Sequence, residues 1–172
     1  MLSGVKRVEP LLSPVALQVA AETAPSTPGL VETLVQCAAF VKELETQSHL
    51  IHLNYEGMNF LAVHGFLKDQ YEAHLAQFDA LGEFVRTMDF LMPMCSCGLK
   101  DACCGFEAVT QYEGRHMLMV YHCNLQRLVE MAKEIETLAG CWRAVDVQNY
   151  AAELVAAGNQ ASWFVKATLR GC

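Results

Sequence analysis

From residue 30 onward, apolar side chains return every three or four positions along four long stretches, and each stretch is bounded by proline, glycine or aspartate. The first uses Leu30, Leu34, Cys37, Val41, Leu44, Ile51 and Tyr55. Thr27 and Pro28 precede it as an N-cap and a proline at the first helical position, predicting a helix over about residues 28 to 55 that breaks at Glu56-Gly57. Phe60, His64, Leu67, Tyr71, Leu75, Phe78, Leu81, Val85 and Met88 then repeat for about seven turns. They predict a second helix over about residues 58 to 90, with Pro93 as its stop. Met117, Val120, Leu128, Met131, Ile135 and Leu138 predict a third over about 112 to 139, closed by Gly140. Asp146 is placed to cap a fourth over about 146 to 169, which carries Tyr150, Leu154, Ala157, Ala161, Phe164 and Thr168.

The first two helices are joined tightly, whereas a long Cys-rich connection, with room for a short helix, separates the second from the third. The expected class is therefore all-α, a ferritin-like four-helix bundle over residues 28 to 170 with one crossover. Residues 1 to about 27 run into ETAPSTPG, have weak periodicity and read as a tail or strap. At 172 residues and 53% hydrophobic, the chain suits one domain with a sizeable core. It has no uncharged apolar run long enough for a membrane span, since LLSPVALQVAA at 11 to 21 is short and broken by Pro14. Glu9 and Pro10 also spoil the approach to a signal peptide, so a cytoplasmic protein is expected.

The charge of −7 argues against phosphate backbones as partners and for metal cations. Candidate ligands lie in HLNYEGMNFLAVH, which sets His52 just before the first break and His64 one turn after it. Asp79 and Glu83 follow on the second helix, four residues apart on one face. Imidazole with paired carboxylates suits iron, zinc or manganese. Fifteen residues separate His64 from Asp79, roughly 22 Å along a helix, so one metal cannot touch both within one chain. An antiparallel second copy related by a twofold axis would bring the two ends together and make two such sites.

The string HLNYEGMNFLAVHGFL, with Asp79 and Glu83 after it, resembles the signature of the Dps family, the ferritin-like mini-cages named as DNA-binding proteins from starved cells. The likeness covers about residues 30 to 88 and returns in NYAAELVAAGNQASWFVKATL, with Trp163-Phe164 late in the helix. It implies that His52 and His64 of one subunit, with Asp79 and Glu83 of its twofold partner, are both the metal ligands and the catalytic residues of a mono- or di-iron ferroxidase site. There Fe(II) would be oxidised, preferably by hydrogen peroxide, and the ferric product stored in a shell of twelve subunits, protecting against oxidative damage. The family usually has a carboxylate four residues after the second histidine. This chain has Lys68 there, with Asp69 beside it, and Leu53 where a tryptophan is common. An ammonium group has no lone pair to offer a metal, so Lys68 weakens the site or alters its metal, and it could pair with Asp79 or Glu83 across the interface.

Four of the eight cysteines, Cys95, Cys97, Cys103 and Cys104, crowd into CSCGLKDACC. Four thiolates in so short a span could bind zinc or an iron–sulfur cluster, respond to oxidant as reversible disulfides, or have no role. Two further functions stay open beside iron storage: a cage whose cysteine cluster carries electrons, and a non-enzymatic structural or nucleoid protein. Direct DNA binding is not expected from a tail with only Lys6 and Arg7. His49 and His74 read as structural or solvent-facing residues, and Glu130, Glu134, Glu136 and Asp146 are candidates for the acidic inner wall or pore.

Overall fold

The computed structural model describes residues 28 to 57 and 59 to 170; the predicted tail, Thr27 as a cap, and Cys172 lie outside them. Five helices follow in order: α1 (Pro28–Asn54), α2 (Phe60–Thr87), α3 (Ser96–Ala102), α4 (Gly114–Trp142) and α5 (Val145–Arg170). The four long ones form the bundle, and the short α3 lies within the connection between α2 and α4. The helically spaced apolar positions from Leu30 through Leu44 to Ile51, with Tyr55 just beyond α1, are buried, whereas Leu50 and Leu53 of α1 are exposed. α2 divides its apolar residues between two faces, because Val63, Leu67, Leu81 and Val85 enter the core while Leu75 is 54% exposed.

Cross-helix contacts give the topology. His52 meets His64 and His49 meets Tyr71, so α1 and α2 run antiparallel. Phe66 with Phe164 and Phe84 with Tyr150 set α2 antiparallel to α5. His122 with Ser162 and Glu136 with Gln148 do the same for α4 and α5. α2 and α4 therefore point the same way, and the chain between them must travel the length of the bundle.

Helix ends are set by local hydrogen bonds more than by the residues that punctuate the sequence. α2 stops several residues before Pro93, where Asp89 takes a left-handed φ of 64° while Asp89 N–H and Phe90 N–H bond back to Arg86 and Val85 carbonyls. This is the Schellman arrangement, which satisfies carbonyls that would otherwise be orphaned. α4 likewise runs through Gly140 and closes on Arg143, at φ 56°, with Ala144 N–H bonded to the Ala139 carbonyl. Gly140 is thus interior to α4, not its terminator. Asp146 sits inside the first turn of α5, where its charge suits the helix N-terminus, and not at the cap. Between α1 and α2, Gly57 adopts a φ of 148°, a conformation that side-chain-bearing residues rarely reach.

The crossover is pinned at Glu107. Asn124, 1% exposed, accepts from Glu107 N–H at 3.0 Å and donates to the Glu107 carbonyl at 2.8 Å, while Gln47 donates to that carbonyl at 2.9 Å. Phe106 anchors the same strap by packing edge-on against Phe40, with ring centroids 5.2 Å apart. Asn124→Ala would leave buried amide groups unpaired, an expected cost of about 2–4 kcal/mol. Urea unfolding measures it, and a loss below about 1 kcal/mol would show that the crossover is held elsewhere.

Candidate metal site at the α1–α2 turn

His52 lies in the last turn of α1 and His64 in the first turns of α2, and the short link between these helices folds them onto each other. His52 Nδ1 lies 2.8 Å from the His64 carbonyl, and His64 Nδ1 lies 3.0 Å from the His52 carbonyl. The rings stack with centroids 3.6 Å apart and planes 20° apart. A carbonyl oxygen only accepts, so both Nδ1 atoms must carry the proton, and each neutral ring keeps a bare lone pair on Nε2. Metal-bound histidines are commonly held in this way, with the non-ligating nitrogen donating to a backbone carbonyl. The donor set is thus prepared before any cation arrives. His52 is 8% exposed and fixed, while His64 is half-buried at the surface.

Aromatic rings brace the pair. Phe60 lies 5.0 Å from His64, Tyr71 meets His52 edge-on at 5.5 Å, and the exposed His49 stacks on Tyr71 at 4.2 Å. His74 has no part in this group. It is buried against Tyr121 in the bundle interior and has the structural role expected of it.

Asp79 and Glu83 are exposed on the outward stripe of α2 that also carries Leu61, His64, Lys68 and Leu75. The structure sets them on the same face as His64 but at the other end of α2, so the chain does not bring the four ligands together. Among the described residues, no group of three or more His, Cys, Asp or Glu side chains is gathered for a metal. Lys68 forms an ion pair with Glu72, one turn further along α2. That hydrogen bond and charge raise the Lys68 ammonium's pKa, so it stays a cation.

The same absence bears on the cysteines. Cys95, Cys97, Cys103 and Cys104 do not converge on a common ligand set, which removes the support for a zinc or iron–sulfur centre within one chain. Cys95 instead acts as the cap of α3, its sulfur accepting from Gly98 N–H at 3.3 Å. Burial, with Glu43 and Cys104 nearby, pushes the Cys103 thiol up to about 11, leaving it protonated and a poor ligand at neutral pH. Of the acidic wall candidates, Glu130 pairs with Lys133 at 2.7 Å and Glu136 accepts from Gln148 at 2.7 Å. No sequence pattern announced the reciprocal histidine–carbonyl bonds, because backbone acceptors are invisible at that level, whereas the i, i+4 spacing of Lys68 and Glu72 is a readable signal for their pair.

No protein-family model matches the chain, and no curated protein matches it in sequence. Solved structures do. Antigen TpF1 from Treponema pallidum superposes with a TM-score of 0.78 at 20% identity, over 86% of this chain and 97% of that one. Dps from Staphylococcus aureus gives 0.78 at 18% identity, over 85% and 98%. Dps from Vibrio cholerae O1, described as a member of a broad superfamily of ferritin-like diiron-carboxylate proteins, gives 0.74 at 20%, over 81% and 88%. At these identities the likeness speaks for architecture: the chain has the ferritin-like fold of the Dps proteins.

Proposed function

We propose that the protein is a Dps-type mini-ferritin of the cytoplasm that oxidises Fe(II) with hydrogen peroxide and stores the ferric product inside a twelve-subunit shell. One observation carries this reading: the reciprocal bonds between His52 and His64, which leave both Nε2 lone pairs free beside an exposed stripe ending in Asp79 and Glu83. A twofold copy of α2, packed antiparallel on that stripe, would set its Asp79 and Glu83 against the histidine pair. Leu61 and Leu75, 83% and 54% exposed in the single chain, lie on the same stripe and supply apolar area for that contact.

The chemistry needs little else from the chain. Imidazole and carboxylate ligands would hold Fe(II) with coordination positions left open. Hydrogen peroxide takes one electron from each of two Fe(II) ions, its O–O bond breaks, and two protons complete two waters. When both electrons reach the same peroxide, no hydroxyl radical is released, which gives the protective role. The chain's net charge of −7 favours gathering cations and disfavours DNA as a partner.

Anaerobic addition of Fe(II) to the purified assembly, followed by peroxide or air in separate runs, tests the proposal through ferric absorbance. Peroxide should drive rapid oxidation, and an Asp79→Ala/Glu83→Ala variant should lose at least about a hundredfold of the rate, since even groups that only support metal ligands cost about 10- to 100-fold when removed. Oxidation in the wild type no faster than in buffer would leave a structural cage. An unaffected variant would remove these two residues from the site.

A further inference from the structure

Lys68 stands on the metal-facing stripe of α2, one turn beyond His64, and holds Glu72 in an exposed ion pair. Pairs of this kind are weak and exchange partners readily. An antiparallel register that sets His64 against Asp79 and Glu83 of a second copy also sets Lys68 against the segment from Leu75 to Asp79 of that copy. It brings Glu72 near the twofold axis. Lys68 therefore stands between its own Glu72 and Asp79 of the second copy, and either carboxylate keeps the ammonium at the site. Asp69 is no competitor, because it points about 100° away around the helix.

We propose that Lys68 acts as a built-in cation of this site, so that each site takes one divalent metal ion and not two; this rests on the two-copy site proposed above. Charge counting carries the argument. Asp79, Glu83 and Glu72 bring three negative charges, Lys68 brings one positive, and metal-bound imidazoles are neutral. One divalent cation makes the site neutral. A second would leave two uncompensated positive charges in a partly desolvated interface, where unbalanced charge is costly. Lys68 is a determinant of stoichiometry rather than a ligand. With aspartate in its place the count falls to four negative charges, enough to balance two divalent ions.

Calorimetric titration with Co(II), a cation that peroxide-free buffer leaves unoxidised, reads the stoichiometry directly on the assembled protein. The wild type is expected to bind one Co(II) per chain and Lys68→Asp two. Lys68→Gln, which removes the charge without adding a ligand, should tighten the single site by on the order of tenfold or more. Sedimentation of each variant confirms that the assembly is intact. Two Co(II) per chain in the wild type, or one in Lys68→Asp with the assembly preserved, would overturn the role given to Lys68. Absence of Co(II) binding in the wild type, or binding that His64→Ala leaves unchanged, would overturn the two-copy site itself and this inference with it.

Discussion

Co-assembly of two inactive variants is expected to restore iron oxidation. One chain carries His52→Ala and His64→Ala, the other Asp79→Ala and Glu83→Ala, and each alone should retain no more than about 1% of the wild-type rate. The reason lies in α2, where His64 and Asp79 share a face but stand roughly 22 Å apart along the axis. Metal–ligand bonds are only about 2 Å long, so no single chain can close the site. In a random mixture, half of the twofold pairs are mixed, and each mixed pair holds one intact site and one doubly broken site. About a quarter of the wild-type rate should return. Native mass spectrometry verifies that mixed pairs have formed, and if they have formed without any recovery, the site is not shared between copies.

Acid should weaken the bundle through His74. This side chain is 2% exposed, bonded through Nδ1 to the Gln77 carbonyl oxygen at 2.8 Å and through Nε2 to the Tyr121 hydroxyl at 2.9 Å. The neutral ring has one proton, which the Gln77 oxygen claims, so the Tyr121 O–H donates to Nε2. Burial is the largest influence and pushes the imidazole down to about 4, against the smaller opposing pull of Gln77 and of Glu45 on α1. An unfolded chain takes up the proton near pH 6.5, whereas the folded one resists until about 4. Between those values the unfolded state binds more protons, so stability falls as pH falls, by roughly 3 kcal/mol in all. His74→Gln, which cannot titrate, should flatten that part of the profile. Urea midpoints measured from pH 7.5 to 4.5 decide it, because a variant with the wild-type slope would place the acid sensitivity elsewhere.

The two groups show how differently histidines can be read. His52 and His64 stand out as candidate ligands through the family resemblance of the string around them, yet what orients their rings is a pair of bonds to each other's backbone. Those acceptors exist at every residue and leave no mark in a sequence. His74 carried no such signal, since a buried imidazole and a solvated one look alike in a helical repeat. The cysteine cluster is the opposite case, a sequence signal with no metal-ligand group behind it among the described residues. Cys95 caps α3, Cys97 lies within it and Cys103 follows at its end, and among the described residues these thiols form no group of three or more metal ligands.

Helix boundaries followed the same division. The four long helices were legible because a three-to-four residue apolar period is a direct consequence of helix geometry and the need for one buried face. Their ends were less so. Asp89 and Arg143 take the left-handed positions that glycine would normally hold, because hydrogen bonds to the preceding turn offset the strain. Periodicity and spacing by themselves therefore determine an all-α bundle and the separation of His64 from Asp79 and Glu83 along one helix, since rise per residue is a fixed property of the helix. Tertiary structure alone decides which apolar face enters the core, which histidines have their rings oriented by backbone carbonyls and whether the thiols of the crossover meet other ligands, because each depends on groups distant in the chain arriving at the same place.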